Sequence, residues 1–176
     1  MARVNSVDPR NPNLASGAVR AAGGQLVEAD GTAAGVYTLD ILLPAYAVLL
    51  DYVIHWEALW TAGTSTTGEV GFYEVDSDTG AISTVIDADD IYKAIDMKAT
   101  DMAAGEAWSF SFAGGQSSDM TGVVATQDKL VDVMDVIDRY IRFKATTVGT
   151  VGTAGKTYAY AVYALPEMDA ATFAAS

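Results

Sequence analysis

The sequence contains one histidine, His55, in the run Asp51-Tyr-Val-Ile-His55-Trp-Glu57. A general base working near neutral pH, or a Ser-His-Asp relay, would have to use it. In an extended chain Asp51, His55 and Glu57 fall on one face, so a titratable imidazole would sit between two carboxylates. No G-x-S-x-G elbow supplies a nucleophile for it. A solvent-facing histidine in a partner contact is therefore favoured over a catalytic one. A second cluster, Asp76-Ser-Asp78-Thr-Gly80 followed by Asp87, Asp89 and Asp90, offers hard oxygen ligands of the kind calcium takes. As an EF-hand loop it fails: Gly80 stands at the third oxygen position, Ala81 where glycine is required, and Asp87 where the closing glutamate belongs. A solvated turn is preferred to a bound cation, and no metal is assigned. The Gly/Thr-rich stretch 147–155 has no G-x-x-x-x-G-K-[ST] pattern and leads into no helix that could hold phosphate, so it reads as a hairpin loop. Many carboxylate pairs are conceivable for glycoside hydrolysis, but nothing selects one. With no cysteine there is no thiolate nucleophile, cysteine-held metal or disulfide. No catalytic residue and no cofactor is assigned, and the chain reads as a non-enzyme.

The elements that would carry these residues are strands. Val36 to Leu43 alternates, with Tyr37, Leu39 and Ile41 on one face and Thr38 and Asp40 on the other, the pattern of a half-buried strand. Ala47 to Trp60 is the strongest strand: Val48, Leu50, Tyr52, Ile54, Trp56, Ala58 and Trp60 share a face opposite Asp51, His55 and Glu57. Thr61 to Gly68 reads as the loop of a hairpin leading into a strand over Glu69 to Val75. Trp108, Phe110 and Phe112 alternate with small polar residues. With Trp56 and Trp60 they read as core rather than as a stacking platform for sugars or bases. Arg139 to Val148 and Thr157 to Leu165 read as a closing hairpin, with Tyr158, Tyr160 and Val162 on one side. The small row of Ala159 and Ala161 permits close approach of another layer, either a second copy or the chain's own second sheet. Leu130 to Ile137 fits the stripe of one short helix or an irregular connection. The sum is an all-β chain, a β-sandwich of jelly-roll type with at most one or two short helices.

At 176 residues with 51% hydrophobic and 19% charged side chains, one packed domain is the default. Residues 1–16 form an extended arm expected to order only against a partner, with Pro9 and Pro12 in Asp-Pro and Asn-Pro steps; 17–176 form the domain. The net charge of −13 repels phosphate backbones and argues against nucleic acid as a ligand. Charge is uneven, since Arg3, Arg10 and Arg20 face only Asp8 in the first twenty residues. Arg3, Arg10, Pro9 and Pro12 of the basic arm, with Asp51, His55 and Glu57 of the body, are the candidate partner-binding residues. No signal peptide is expected, and the most apolar stretch, 41–60, is interrupted by Pro44, Asp51, His55 and Glu57, so no membrane span is expected either.

Three stretches together resemble small structural proteins of tailed-bacteriophage heads. They are Tyr37-Thr-Leu-Asp-Ile-Leu-Leu-Pro-Ala45, then Val48 to Trp60 with Val70-Gly-Phe, and Tyr140-Ile-Arg-Phe-Lys-Ala-Thr with Tyr158-Ala-Tyr-Ala-Val-Tyr. The resemblance covers roughly half the chain and rests on apolar patterns. It implies a capsid decoration (cement) protein, a homo-oligomer and commonly a homotrimer, made in the host cytoplasm and bound to the assembled shell of major capsid protein in the virion. A tail or host-recognition (receptor-binding) β-module is the alternative.

Overall fold

Strands that are apolar on one side and polar on the other can bury that side only against a second layer, which is the reason sandwiches form. The computed structural model of the chain describes residues 4–7, 19–30, 34–76, 78–98, 103–109 and 137–165. Its elements are β1 (Val4–Val7), β2 (Val19–Val27), a 3-10 turn (Glu28–Asp30), β3 (Val36–Leu43), β4 (Val48–Ala58), β5 (Ser65–Val75), β6 (Ile82–Asp96), β7 (Ala107–Ser109), β8 (Arg139–Val148) and β9 (Lys156–Ala164). Two sheets result, in the orders β1-β3-β8-β5-β6 and β2-β9-β4-β7. All pairings are antiparallel except β1 on β3, which is parallel. The all-β sandwich expected from the sequence is the architecture. Val4–Val7, within the arm expected to order only against a partner, pairs instead with β3 of its own chain.

The core fills from both inner faces. In the five-stranded sheet Leu39, Phe143 and Val70 make one cross-strand row and Ile41, Ile141 and Phe72 the next. In the four-stranded sheet Ala161 lies between Ala22 and Tyr52, and Thr157 between Leu26 and Trp56. Ala159 and Ala161 are fully buried, so the layer they admit is the chain's own second sheet. Small residues on β9 beside Tyr52 and Trp56 on β4 give the alternation of sizes that close packing needs. Trp56 meets Trp108 edge to face at 4.8 Å, and Tyr37 meets Trp60 at 5.0 Å. These rings are core, as expected; Phe110, Phe112 and most of the Leu130 to Ile137 stripe lie outside the described residues.

Four expectations need correction. Leu50 does not face the core: a bulge between Leu49 and Asp51 shifts the alternation by one, leaving Leu50 40% exposed and Leu49 2%. Leu49→Ala should cost about 3 kcal/mol in urea denaturation and Leu50→Ala less than about 0.5 kcal/mol; equal losses would contradict the bulge. β3 is buried on both faces, Thr38 and Asp40 included, because β8 side chains cover its outer side. β5 starts at Ser65, inside the stretch read as loop, since Ser65, Thr66 and Thr67 pair with Val148, Thr147 and Thr146.

Finally, neither expected hairpin forms. β4 and β5 lie in different sheets, as do β8 and β9, so residues 59–64 and 149–155 are arches between layers. The arches are laced together by Gly63 N donating to Thr150 O and Thr64 N to Val148 O, both at 2.9 Å. Gly149 has φ +96°, and a Cβ there would press on Thr64, so only glycine fits this crossing. Behind both arches the fully buried carboxylate of Glu28 accepts from the Thr61, Ala62 and Gly155 amides at 2.7 to 3.1 Å and from the Thr61 hydroxyl at 2.9 Å. Burial pushes its pKa up, but these hydrogen bonds outweigh that and hold it below the ordinary glutamate value.

Candidate interaction surface

The outer faces of the two sheets differ in kind. On the five-stranded sheet the basic side chains of β8 meet acidic ones from neighbouring strands: Arg142 with Asp40, Lys144 with Glu69, and Arg139 with Glu74. On β3, β5 and β8 basic and acidic side chains thus meet in pairs across neighbouring strands.

The four-stranded sheet presents aromatic rings. β4 and β9 align His55 opposite Tyr158 and Val53 opposite Tyr160. The His55 and Tyr158 rings stack with centroids 6.1 Å apart, and Tyr158 and Tyr160 lie almost parallel, 5° between planes, at 6.4 Å. Tyr160 leans over Gly23 of β2, where a Cβ would run into the ring, and it remains 40% exposed. Val53 and Val162, both half-buried, extend this strip along β4 and β9.

Polar groups frame it. Lys156 Nζ lies 5.1 Å from the Tyr158 ring centre and 2.9 Å from Glu57 Oε2. The bonds from Lys156 and then Tyr158 hold the Glu57 carboxyl below its usual range, and the bonds to Tyr158 and then Glu57 raise Lys156. On the other side Asp51 Oδ2 accepts from Ser109 Oγ at 2.6 Å. A rigid strip of rings with fixed charged pairs at its rim is suited to binding a protein surface: tyrosine and histidine cover apolar area at low entropic cost and keep polar tips.

The structure thus brings Asp51, His55 and Glu57 together on one outer face, as their spacing predicts, and joins to them Tyr158, Tyr160 and Lys156, which sequence reasoning did not single out. The signal was there in the Tyr158, Tyr160, Val162 row, but alternation does not say which side faces out. Arg3, Pro9, Arg10 and Pro12 lie outside the described residues.

The Asp76 segment is a turn closed on itself. Asp76 Oδ1 accepts from the amides of Asp78 and Thr79, both at 2.9 Å, and the Thr79 bond leads in holding its carboxyl below the ordinary aspartate value. Asp87, Asp89 and Asp90 belong to β6, and their side chains lie outside the described residues. Among the described residues no three histidine or acidic side chains converge on a point.

No family model matches the sequence, and no curated protein matches it. A solved structure titled "Capsid of Ralstonia phage GP4" contains a chain with a similar fold. The match covers 95% of this chain and 100% of that one, with TM-score 0.56 and 17% identity. At that identity the likeness is one of fold.

Proposed function

We propose that the protein is a virion structural component of a tailed phage: a decoration, or cement, protein that binds the assembled major-capsid shell through the outer face of its four-stranded sheet and stabilises it. The observation that carries this reading is the full-length match to a chain taken from a phage capsid. That match spans 95% of this chain and the whole of the matched chain. The acidic surface, with net charge −13, suits a place outside the shell, away from packaged nucleic acid. On this reading the chain has no catalytic role and no cofactor.

Binding follows from the surface chemistry. The Tyr158, Tyr160 and His55 strip would supply the apolar contact, and the Lys156–Glu57 and Asp51–Ser109 pairs the polar rim that fixes orientation. A contact of this size is modest singly and becomes strong when the shell repeats it many times.

The test is co-sedimentation of the purified chain with phage heads lacking it. Saturable binding at a stoichiometry set by the shell lattice is expected, together with a rise in the heads' disruption temperature. Tyr160→Ser combined with His55→Ala should weaken binding about tenfold or more while leaving the melting temperature of the free chain nearly unchanged, since both side chains lie on the outer face. A chain that ignores the heads, or a double variant that binds them as well as the native chain, would overturn the reading.

A further inference from the structure

An imidazole is the side chain that ordinarily gains a charge as pH falls from neutral to mildly acid, and what that charge costs depends on the acceptors within its reach. The chain has a single histidine, His55, half-buried on the outer face of the four-stranded sheet. Its own strand β4 lies between β9, where Tyr158 is its cross-strand partner, and β7, where Ala107 is.

Among the described residues, the carboxylates that these strands bring near His55 are already engaged. On β4, Asp51 accepts from the Ser109 hydroxyl at 2.6 Å on one oxygen and from the Tyr52 amide at 2.8 Å on the other. Glu57 is held by Lys156 at 2.9 Å and by a bond from Tyr158. Beside β7, Glu106 accepts from the Ala103 amide at 2.8 Å on one oxygen and from the Trp108 indole at 3.0 Å on the other. The ionisable groups that β9 brings to the same face are the Tyr158 and Tyr160 phenols and the Lys156 ammonium. Tyr158 is thus shared: the His55 ring lies 6.1 Å from it, and Lys156 Nζ 5.1 Å from its centre. A proton on His55 sets a second cation beside that ring, with each nearby carboxylate committed elsewhere. On the free chain water solvates this charge. Under a docked partner the water is gone, and the charged ring is left without an acceptor.

We propose that His55 makes binding to the shell pH-dependent: the face docks with the imidazole neutral, and a protonated His55 opposes docking. This rests on the decoration reading and on its docking face. Because the docked chain holds fewer protons than the free one, affinity is full above the range in which the imidazole titrates and is lost as pH falls through it. For a ring that must be neutral to bind, a pH one unit below the reference imidazole value of about 6.5 weakens binding about tenfold.

The experiment is co-sedimentation with heads lacking the chain at about pH 7.5 and about pH 5.5, reading for each variant the ratio of its two dissociation constants. Glutamine stays neutral and polar at both values, and groups on the shell act alike on every variant. The native chain should therefore weaken about tenfold more than His55→Gln between the two, whatever the affinity of the variant at the higher pH. Lys156→Met removes the competing cation and frees Glu57 for His55, so its response should be smaller than the native one. Far-UV circular dichroism at both pH values checks that each chain stays folded. Equal ratios for the native chain and His55→Gln, or a Lys156→Met response as large as the native one, would overturn the pH dependence and leave the decoration reading standing. Heads that bind the native chain at neither pH would overturn both.

Discussion

Glu28→Ala is expected to lower the stability of the chain by about 4 kcal/mol, a fall in melting temperature of about 10 °C for a domain of this size. The reason is the number of donors left behind. Three backbone amides, from Thr61, Ala62 and Gly155, and the Thr61 hydroxyl all end on one fully buried carboxylate. With the acceptor removed, each must find water or remain unpaired in a place built to exclude it. The loss would not be confined to Glu28, because those donors belong to the two arches that carry the chain from one sheet to the other. Gly152 packs directly on the carboxylate and Gly155 on Trp60, where a Cβ would collide in each case.

Glu28→Gln separates charge from shape. Glutamine keeps the volume but turns one acceptor into an NH2 that faces other donors, so it too should destabilise, by about 2 to 3 kcal/mol. Its pH dependence is the sharper test. The folded carboxyl sits below the ordinary glutamate value of 4.5. The unfolded state therefore takes up its proton first as pH falls. The stabilisation from ionised Glu28 is complete above the unfolded pKa and is lost as pH drops through the folded one. Denaturation curves of the native chain and of the Glu28→Gln variant should differ most at neutral pH and converge in acid. A constant gap would mean that ionised Glu28 is not what ties the arches.

The arches also show where local sequence pattern stops being informative. Period-2 alternation identified β3, β4 and β9 because the side-chain period belongs to the strand itself. The pattern is silent on which neighbour a strand pairs with. A Gly/Thr-rich connection of a few residues serves equally well to turn back within a sheet or to cross the core, so 61–68 and 147–155 read as hairpin loops. Leu50 was misplaced for a related reason: a bulge adds one residue to the period, and both Leu49 and Leu50 are apolar enough to fill the core position. The same limit applies to the interaction surface. Asp51, His55 and Glu57 could be grouped from one strand, whereas Tyr158, Tyr160 and Lys156 join them only through the β4–β9 pairing. The outward placement of Tyr158 and Tyr160 follows from β9 turning Ala159 and Ala161 inward beside Tyr52 and Trp56, a fact about the neighbouring strand β4 rather than about β9.

Asp40→Ala should be nearly as damaging as Glu28→Ala, at about 3 kcal/mol, and its partner explains why. Asp40 lies on the central run of β3 with no exposed surface. Its carboxylate accepts from Arg142 Nε at 2.6 Å and Nη2 at 2.9 Å, a bidentate fork across the β3–β8 pair. Arg142 is held from its other sides as well: Nη2 donates to Ile82 O at 2.8 Å, and the guanidinium lies 4.7 Å from the centre of the Tyr73 ring. The Asp40 bond raises the Arg142 pKa further, so the arginine cannot escape by losing its proton. Truncating Asp40 strands a cation on a largely buried face, while the pair itself stabilises little once its desolvation is counted. Asp40→Leu with Arg142→Met should therefore recover most of the loss, to within about 1 kcal/mol of the native chain by urea denaturation. A double variant no better than Asp40→Ala would show that the pair contributes net stability, through the link to Ile82 and Tyr73 at the β5–β6 side of the sheet.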